Sequence, residues 1–219
     1  MRLPQRLIVG GRRSGAVPLY GRAVTRPTAA VAVRRSIARL VLRAARWRTT
    51  GTVPQRGVLV GAPHTSNWDW VLTLLLAWDY GITIRLLVKR ELFRGPLAPV
   101  LRATGAIALD RDHPGDTIRA LLAEAEGDEP FVIGLAAEGT RSRGEHWKSG
   151  FHRIARQTGL PITLAFLDAP SRTVGWGPTF PASADVRADM DRVREFYADK
   201  TGIHPDDFTP PRLREEPRG

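Results

Sequence analysis

Gly57-Val58-Leu59-Val60-Gly61-Ala62 is a short apolar run. It leads through Pro63-His64-Thr65-Ser66-Asn67-Trp68-Asp69-Trp70 into a second apolar stretch that closes at Tyr80. The first run has the length and composition of a buried strand, and residues 69–80 have those of a helix. A strand that feeds a helix in this way opens a parallel α/β unit. The alternation continues downstream. Further strands are expected at residues 82–88, 106–109, 131–135 and 162–166, and helices at 91–103 (interrupted by proline), 117–126, 150–157 and 185–199. Pro114 and Asp116 stand where a helix begins, and Gly159 before Pro161 stands where one ends. The expected fold class is therefore α/β, a central mostly parallel or mixed sheet flanked by helices.

The chain has 219 residues, which suits one domain with a sizeable core. Its 33 Lys and Arg against 22 Asp and Glu leave a net charge of +11, unevenly spread. Residues 1–50 hold twelve Arg and no acid, whereas residues 51–219 carry 21 basic and 22 acidic side chains. A near-neutral domain thus follows a cationic arm, which calls for a polyanion such as an anionic lipid surface or a nucleic acid. Within the arm, residues 31–48 form an amphipathic pattern. Val33, Ile37, Leu40, Val41, Ala44 and Trp47 share one face of a helix, with Arg35, Arg39, Arg43 and Arg46 opposite and Leu42 out of place. Such a helix can lie in the plane of an anionic membrane or pack its apolar stripe on the domain, and the two readings are compatible. Nucleic acid is disfavoured, because no stacking-aromatic pattern accompanies the arginines. The expected organisation is a basic arm over 1–50, one domain over 51–208, and a flexible tail over 209–219 rich in proline and charge.

Several chemistries are excluded. The chain has no cysteine, so disulfides, thiolate metal sites and cysteine nucleophiles are out. It has no phosphate-binding P-loop, no dinucleotide glycine fingerprint, no serine-hydrolase elbow and no zinc-type histidine pairing. No apolar stretch reaches the roughly 18 residues needed to span a bilayer, and no secretory signal is visible.

His64 and Asp69 remain. His64 follows the first core strand, at the edge where open α/β sheets bind ligands. Ser66 or Asn67 would cap the helix and set Asp69 in its first turn. A carboxylate bonded to one imidazole nitrogen fixes the tautomer and raises the basicity of the other, so the histidine can take a proton from a bound alcohol. By itself the pair is a weak motif, equally readable as a helix-capping loop.

Its context is more specific. Lys89-Arg90-Glu91-Leu92-Phe93 follows, then Gly105-Ala106-Ile107-Ala108-Leu109-Asp110-Arg111, Glu138-Gly139-Thr140-Arg141, Trp147-Lys148-Ser149-Gly150 and Leu160-Pro161-Ile162. In order and spacing, from about residue 55 to 208, the set resembles the lysophosphatidate acyltransferases of the glycerolipid acyltransferase superfamily. One position departs: Ala137 stands where that family carries proline.

The resemblance implies an acyltransferase with His64 as general base and Asp69 as its orienting partner. Arg111, Gly139, Thr140 and Arg141 would bind the acceptor's phosphate. Glu138 would either belong to that site or hold an arginine in place. Lys89 and Lys148 would support a phosphate or the donor's nucleotide end. Pro161 would shape the far wall of the cleft. The implied partners are acyl-CoA or acyl carrier protein as donor, a lysophospholipid acceptor and an anionic membrane surface, with no nucleic acid. No metal and no cofactor enter this chemistry. The implied location is cytoplasmic, peripheral on the inner face of the cell membrane. The alternatives are acylation of another lipid or glycolipid, or a membrane-binding module without catalysis.

Overall fold

The computed structural model describes residues 28–109, 117–119, 122–123 and 130–216. Its strands are β1 (Arg48–Thr50), β2 (Arg56–Ala62), β3 (Ile84–Lys89), β4 (Ile107–Leu109), β5 (Phe131–Leu135), β6 (Ile162–Asp168) and β7 (Thr173–Phe180). They form one sheet in the order β1-β7-β6-β2-β5-β3-β4. All neighbours are parallel except β6 and β7, so the sheet is mixed. Helices α1 (Ala29–Ala44), α2 (Trp68–Tyr80) and α3 (Ala98–Ala103) are followed by helices Gly150–Thr158 and Val186–Tyr197.

The alternation of side chains along the central strands builds a core on each face of the sheet. Val58, Val60, Ile133, Ile162 and Leu164 pack with Trp147, Phe151, Met190 and Tyr197 on one side. Leu59, Val132, Ala165 and Leu167 pack with Leu72, Leu75, Leu76 and Leu42 on the other. Strands covered on both faces read as continuous apolar runs, which is why β2, β5 and β6 are legible in sequence.

Two strands were not expected. β1 is three residues beginning with an arginine, and β7 contains Gly175, Gly177 and Pro178, which mark a strand as unlikely by composition. Both glycines are tertiary requirements. A Cβ on Gly175 would meet the Thr50 carbonyl oxygen at 2.7 Å, where β1 lies alongside, and one on Gly177 would meet the Phe196 ring at 2.3 Å. The expected helix over 91–103 divides into a 3-10 turn, Arg90–Arg94, and α3, separated by Gly95-Pro96-Leu97. Of the helix expected over 117–126, residues 117–119 and 122–123 are helical and the others lie outside the described residues.

α1 docks the opposite way round from a simple amphipathic reading. Its buried residues are Ala38 and Leu42, the latter being the residue out of place on the wheel. Burial of Leu42 is worth about 1.5–3 kcal/mol. Arg35 donates to the Tyr80 carbonyl at 3.2 Å, and Arg39 pairs with Asp79 at 2.8 Å. Burial pushes the Asp79 carboxyl up, but its bonds to Arg39 and Thr49 outweigh this and hold it below the ordinary range. The C-terminal end of α2, with its negative dipole and its aspartate, draws in part of the arginine face. Val33, Ile37, Leu40 and Val41 are left exposed.

The segment after Phe208, which composition suggests is frayed, is packed through residue 216. Thr209 and Leu213 are buried, and Arg194 holds Glu216 at 3.0 Å. Proline and charge mark the absence of regular structure here, and the order comes from side chains on the domain.

Candidate active site

Strands β2, β5, β3 and β4 are mutually parallel, so their C-terminal ends share one edge of the sheet. From that edge the chain delivers His64 just after β2, Glu138-Gly139 just after β5 and Lys89 at the end of β3. Lys89 is in register with Leu109 at the end of β4. Arg111, two residues beyond Leu109, lies outside the described residues. Topology therefore converges residues that are far apart in sequence.

The loop after β2 begins with a cis Ala62–Pro63 peptide and ends at α2. The Asp69 carboxylate, in the first turn of α2, folds back over the loop. Its Oδ2 accepts the backbone N–H groups of Thr65 and Ser66, each at 2.7 Å. The same oxygen lies 3.3 Å from His64 Nδ1. Asp69 is thus a staple for the loop first and a partner for the imidazole second, a contact longer than a charge-assisted bond of about 2.7–2.9 Å. The expected side-chain cap is not formed: the N-cap position is Asn67, whose side chain makes no cap bond, and Ser66 one residue earlier accepts only from Trp68 N, through Oγ at 3.2 Å. With Nδ1 turned to Asp69, His64 presents Nε2 as the nitrogen able to take a proton. The side chain is 19% exposed, open enough to meet a substrate.

Among the described residues Glu138 has no arginine partner. It is buried, and its two oxygens bridge backbone groups: Oε1 accepts from His64 N at 2.6 Å, and Oε2 from Thr209 N at 3.0 Å. Burial raises its carboxyl above the ordinary range, opposed by those two N–H bonds and by the nearby imidazole. Gly139 has φ +71°, the left-handed region in which side chains are rare. What approaches its backbone closely is the stem of Lys148, since a Cβ there would meet Lys148 Cγ at 3.0 Å. Lys148 N also donates to the carbonyl of the buried Ala137 at 2.7 Å, which fixes this turn where a proline would otherwise stiffen it. Thr140 accepts from Ser142 N at 3.3 Å. Lys89, Arg141 and Lys148 are exposed, and among the described residues none has a carboxylate partner, so their charge is free for an anion.

His64, Asp69, Glu138, Gly139 and Lys148 are therefore assembled by direct contacts, with Arg141 beside them and Lys89 on the same sheet edge. The site also depends on residues to which the sequence reading assigned no role. Thr209 stands in a Phe-Thr-Pro-Pro stretch with nothing to mark it. Tyr197, whose hydroxyl lies 2.9 Å from the Val60 carbonyl and 2.8 Å from that of Ala165, bridges β2 and β6 within the strands that lead to the loop. Burial pushes its phenol well above the ordinary value.

The family model described as Acyltransferase matches residues 43–164, more than half of the chain. Among solved structures, a crystal structure of the 1-acyl-sn-glycerophosphate (LPA) acyltransferase PlsC from Thermotoga maritima is similar, with a TM-score of 0.53 and 16% identity. The similarity covers 76% of this chain and 76% of that one. No curated protein matches the chain.

Proposed function

Because the chain belongs to the acyltransferase family, in the glycerolipid acyltransferase superfamily, we propose that it transfers a fatty acyl group from acyl-CoA or acyl carrier protein to the free hydroxyl of a lysophosphatidate-like acceptor. The observation that carries this reading is the His64–Asp69 pair, held at the C-terminal edge of the parallel strands beside unpaired cations.

His64 Nε2 accepts the acceptor's hydroxyl proton as that oxygen attacks the thioester carbonyl carbon. Asp69 stabilises the imidazolium that forms. The tetrahedral intermediate collapses with C–S cleavage, and the departing thiolate takes the proton back from His64. The new ester and the free thiol leave, and the enzyme returns to its starting state. Arg141 and Lys148 hold the acceptor's phosphate through charge and, for Arg141, a bidentate fork. Lys89 supports a phosphate from the neighbouring strand end. Arg111 is assigned the same task from the sequence pattern.

The acceptor is a membrane lipid, and the surface of the molecule supports an enzyme that works at an anionic bilayer. The stripe Val33, Ile37, Leu40 and Val41 is exposed, Leu40 to 70%, and Trp68 at the start of α2 is 64% exposed beside the His64 loop. An exposed apolar stripe on a helix rich in arginine fits the plane of the lipid headgroups. No described helix is long and apolar enough to cross the membrane, so the association proposed is peripheral.

The test is thiol release from acyl-CoA, or from acyl carrier protein, with and without lysophosphatidate, read with a thiol-reactive dye. The chain's lack of cysteine removes background from the protein. Release that requires the acceptor supports the reading. Equal release without acceptor would replace it with thioester hydrolysis.

A further inference from the structure

We propose that residues 201–213, which lie beyond the matched span of 43–164, form a strap that positions the catalytic loop; the proposal rests on His64 being the base. Two independent sets of contacts carry it.

The first set is at the front of the loop. Gly202 is buried against it so closely that a Cβ would meet Thr65 Oγ1 at 2.6 Å and Pro63 Cβ at 2.9 Å. Two residues on, His204 N donates to Thr65 Oγ1 at 3.1 Å. The second set is behind the loop. The N–H of Thr209 meets Glu138 Oε2 at 3.0 Å, and the other oxygen of that carboxylate holds His64 N at 2.6 Å. Thr209 is fully buried, and its other polar atoms are also engaged: Oγ1 accepts from Gly144 N at 2.8 Å and its carbonyl from Trp147 Nε1 at 2.7 Å. Trp147 N in turn donates to the Arg212 carbonyl at 2.7 Å.

The Glu138 carboxylate is therefore a two-sided clasp. One side fixes the backbone of the base, and the other is fixed by the strap. A buried carboxylate with one N–H removed loses part of its restraint and gains a reason to turn away. The strap residues touch no reacting atom. They are positioning residues, and their effect travels through Glu138 and Thr65 to His64.

Three variants test this in the full-length protein: Thr209→Pro deletes the N–H, Thr209→Ala keeps the N–H and loses Oγ1 with the γ-methyl, and Gly202→Ala pushes on Thr65 and Pro63. Deuterium exchange is followed in a peptide covering the 63–68 loop and in one covering β5, alongside kcat and KM for thiol release. Thr209→Pro and Gly202→Ala are expected to speed loop exchange at least tenfold with β5 unchanged. They are expected to lower kcat at least tenfold with KM within twofold. Thr209→Ala is expected to keep native loop protection. Native loop protection in both of the first two variants, loosening of loop and sheet together, or faster loop exchange with wild-type kcat would each overturn the strap. Should Thr209→Pro fail to fold, the Gly202→Ala result decides. Absence of acceptor-dependent release by the wild-type protein would overturn the proposed reaction instead, while the exchange result would still decide whether the strap holds the loop.

Discussion

Asp69→Asn separates the two tasks that Asp69 performs. Both loop N–H groups reach the same oxygen, Oδ2, at 2.7 Å, so the single carbonyl oxygen of asparagine can accept both, and the loop keeps its shape. What disappears is the charge 3.3 Å from His64 Nδ1. In the transition state the imidazole is becoming a cation, and Coulomb's law at an effective dielectric of about 20 gives roughly 5 kcal/mol for unit charges at that spacing. The asparagine dipole and incoming water recover part of this, so the expected loss is about 3–4 kcal/mol, a fall in kcat of about 10²–10³. Asp69→Ala loses the loop bonds as well, and each N–H left without an acceptor costs about 1–3 kcal/mol of stability. The assay is kcat for acceptor-dependent thiol release, with thermal unfolding of both variants. An Asp69→Asn protein within threefold of wild-type kcat would refute the electrostatic role.

Other outcomes follow from the same geometry. Arg141→Ala should raise KM for lysophosphatidate about tenfold or more with little change in kcat, because it binds a group that does not react; unchanged KM would remove Arg141 from the acceptor site. The double variant Ile37→Asp with Leu40→Asp should weaken binding to anionic vesicles at least tenfold in a flotation assay, with stability moved by less than about 1 kcal/mol; undiminished flotation would mean that the stripe does not face lipid. The raised Glu138 carboxyl means that the folded protein keeps a proton the unfolded chain has released. Its contribution to stability is full below the ordinary glutamate value and is lost as pH rises through the raised one. Thermal scans at stepped pH should show wild type gaining on Glu138→Gln as pH falls through that window, while kcat falls as the clasp on His64 is protonated. Parallel pH responses of the two proteins would contradict this.

The catalytic loop was legible in sequence because its signals are local. An apolar run between Arg56 and Pro63, a polar turn and a leucine-rich stretch give strand, loop and helix without reference to anything distant. The roles of Glu138 and the strap are not local, since they consist of bonds to backbone groups of residues 64 and 209, which leave no mark on composition. β7 was hidden for a related reason: Gly175 and Gly177 read as breakers but make room for Thr50 and Phe196. The helical wheel found Val33, Ile37, Leu40 and Val41 on one face of α1 but carried the helix too far, since α1 ends at Ala44 and Trp47 packs on the core. It could not orient the face, because the deciding groups, Asp79 and the Tyr80 carbonyl, lie at the end of another helix.

The most direct test of the account is acceptor-dependent thiol release by His64→Ala, measured on protein whose circular dichroism and melting temperature match the wild type. The backbone N–H that Glu138 holds is retained in this variant, so the fold and the loop survive while the base is gone. Release is expected to fall to the uncatalysed background at every pH. Appreciable acceptor-dependent turnover by the folded variant would contradict the assignment of His64 as general base.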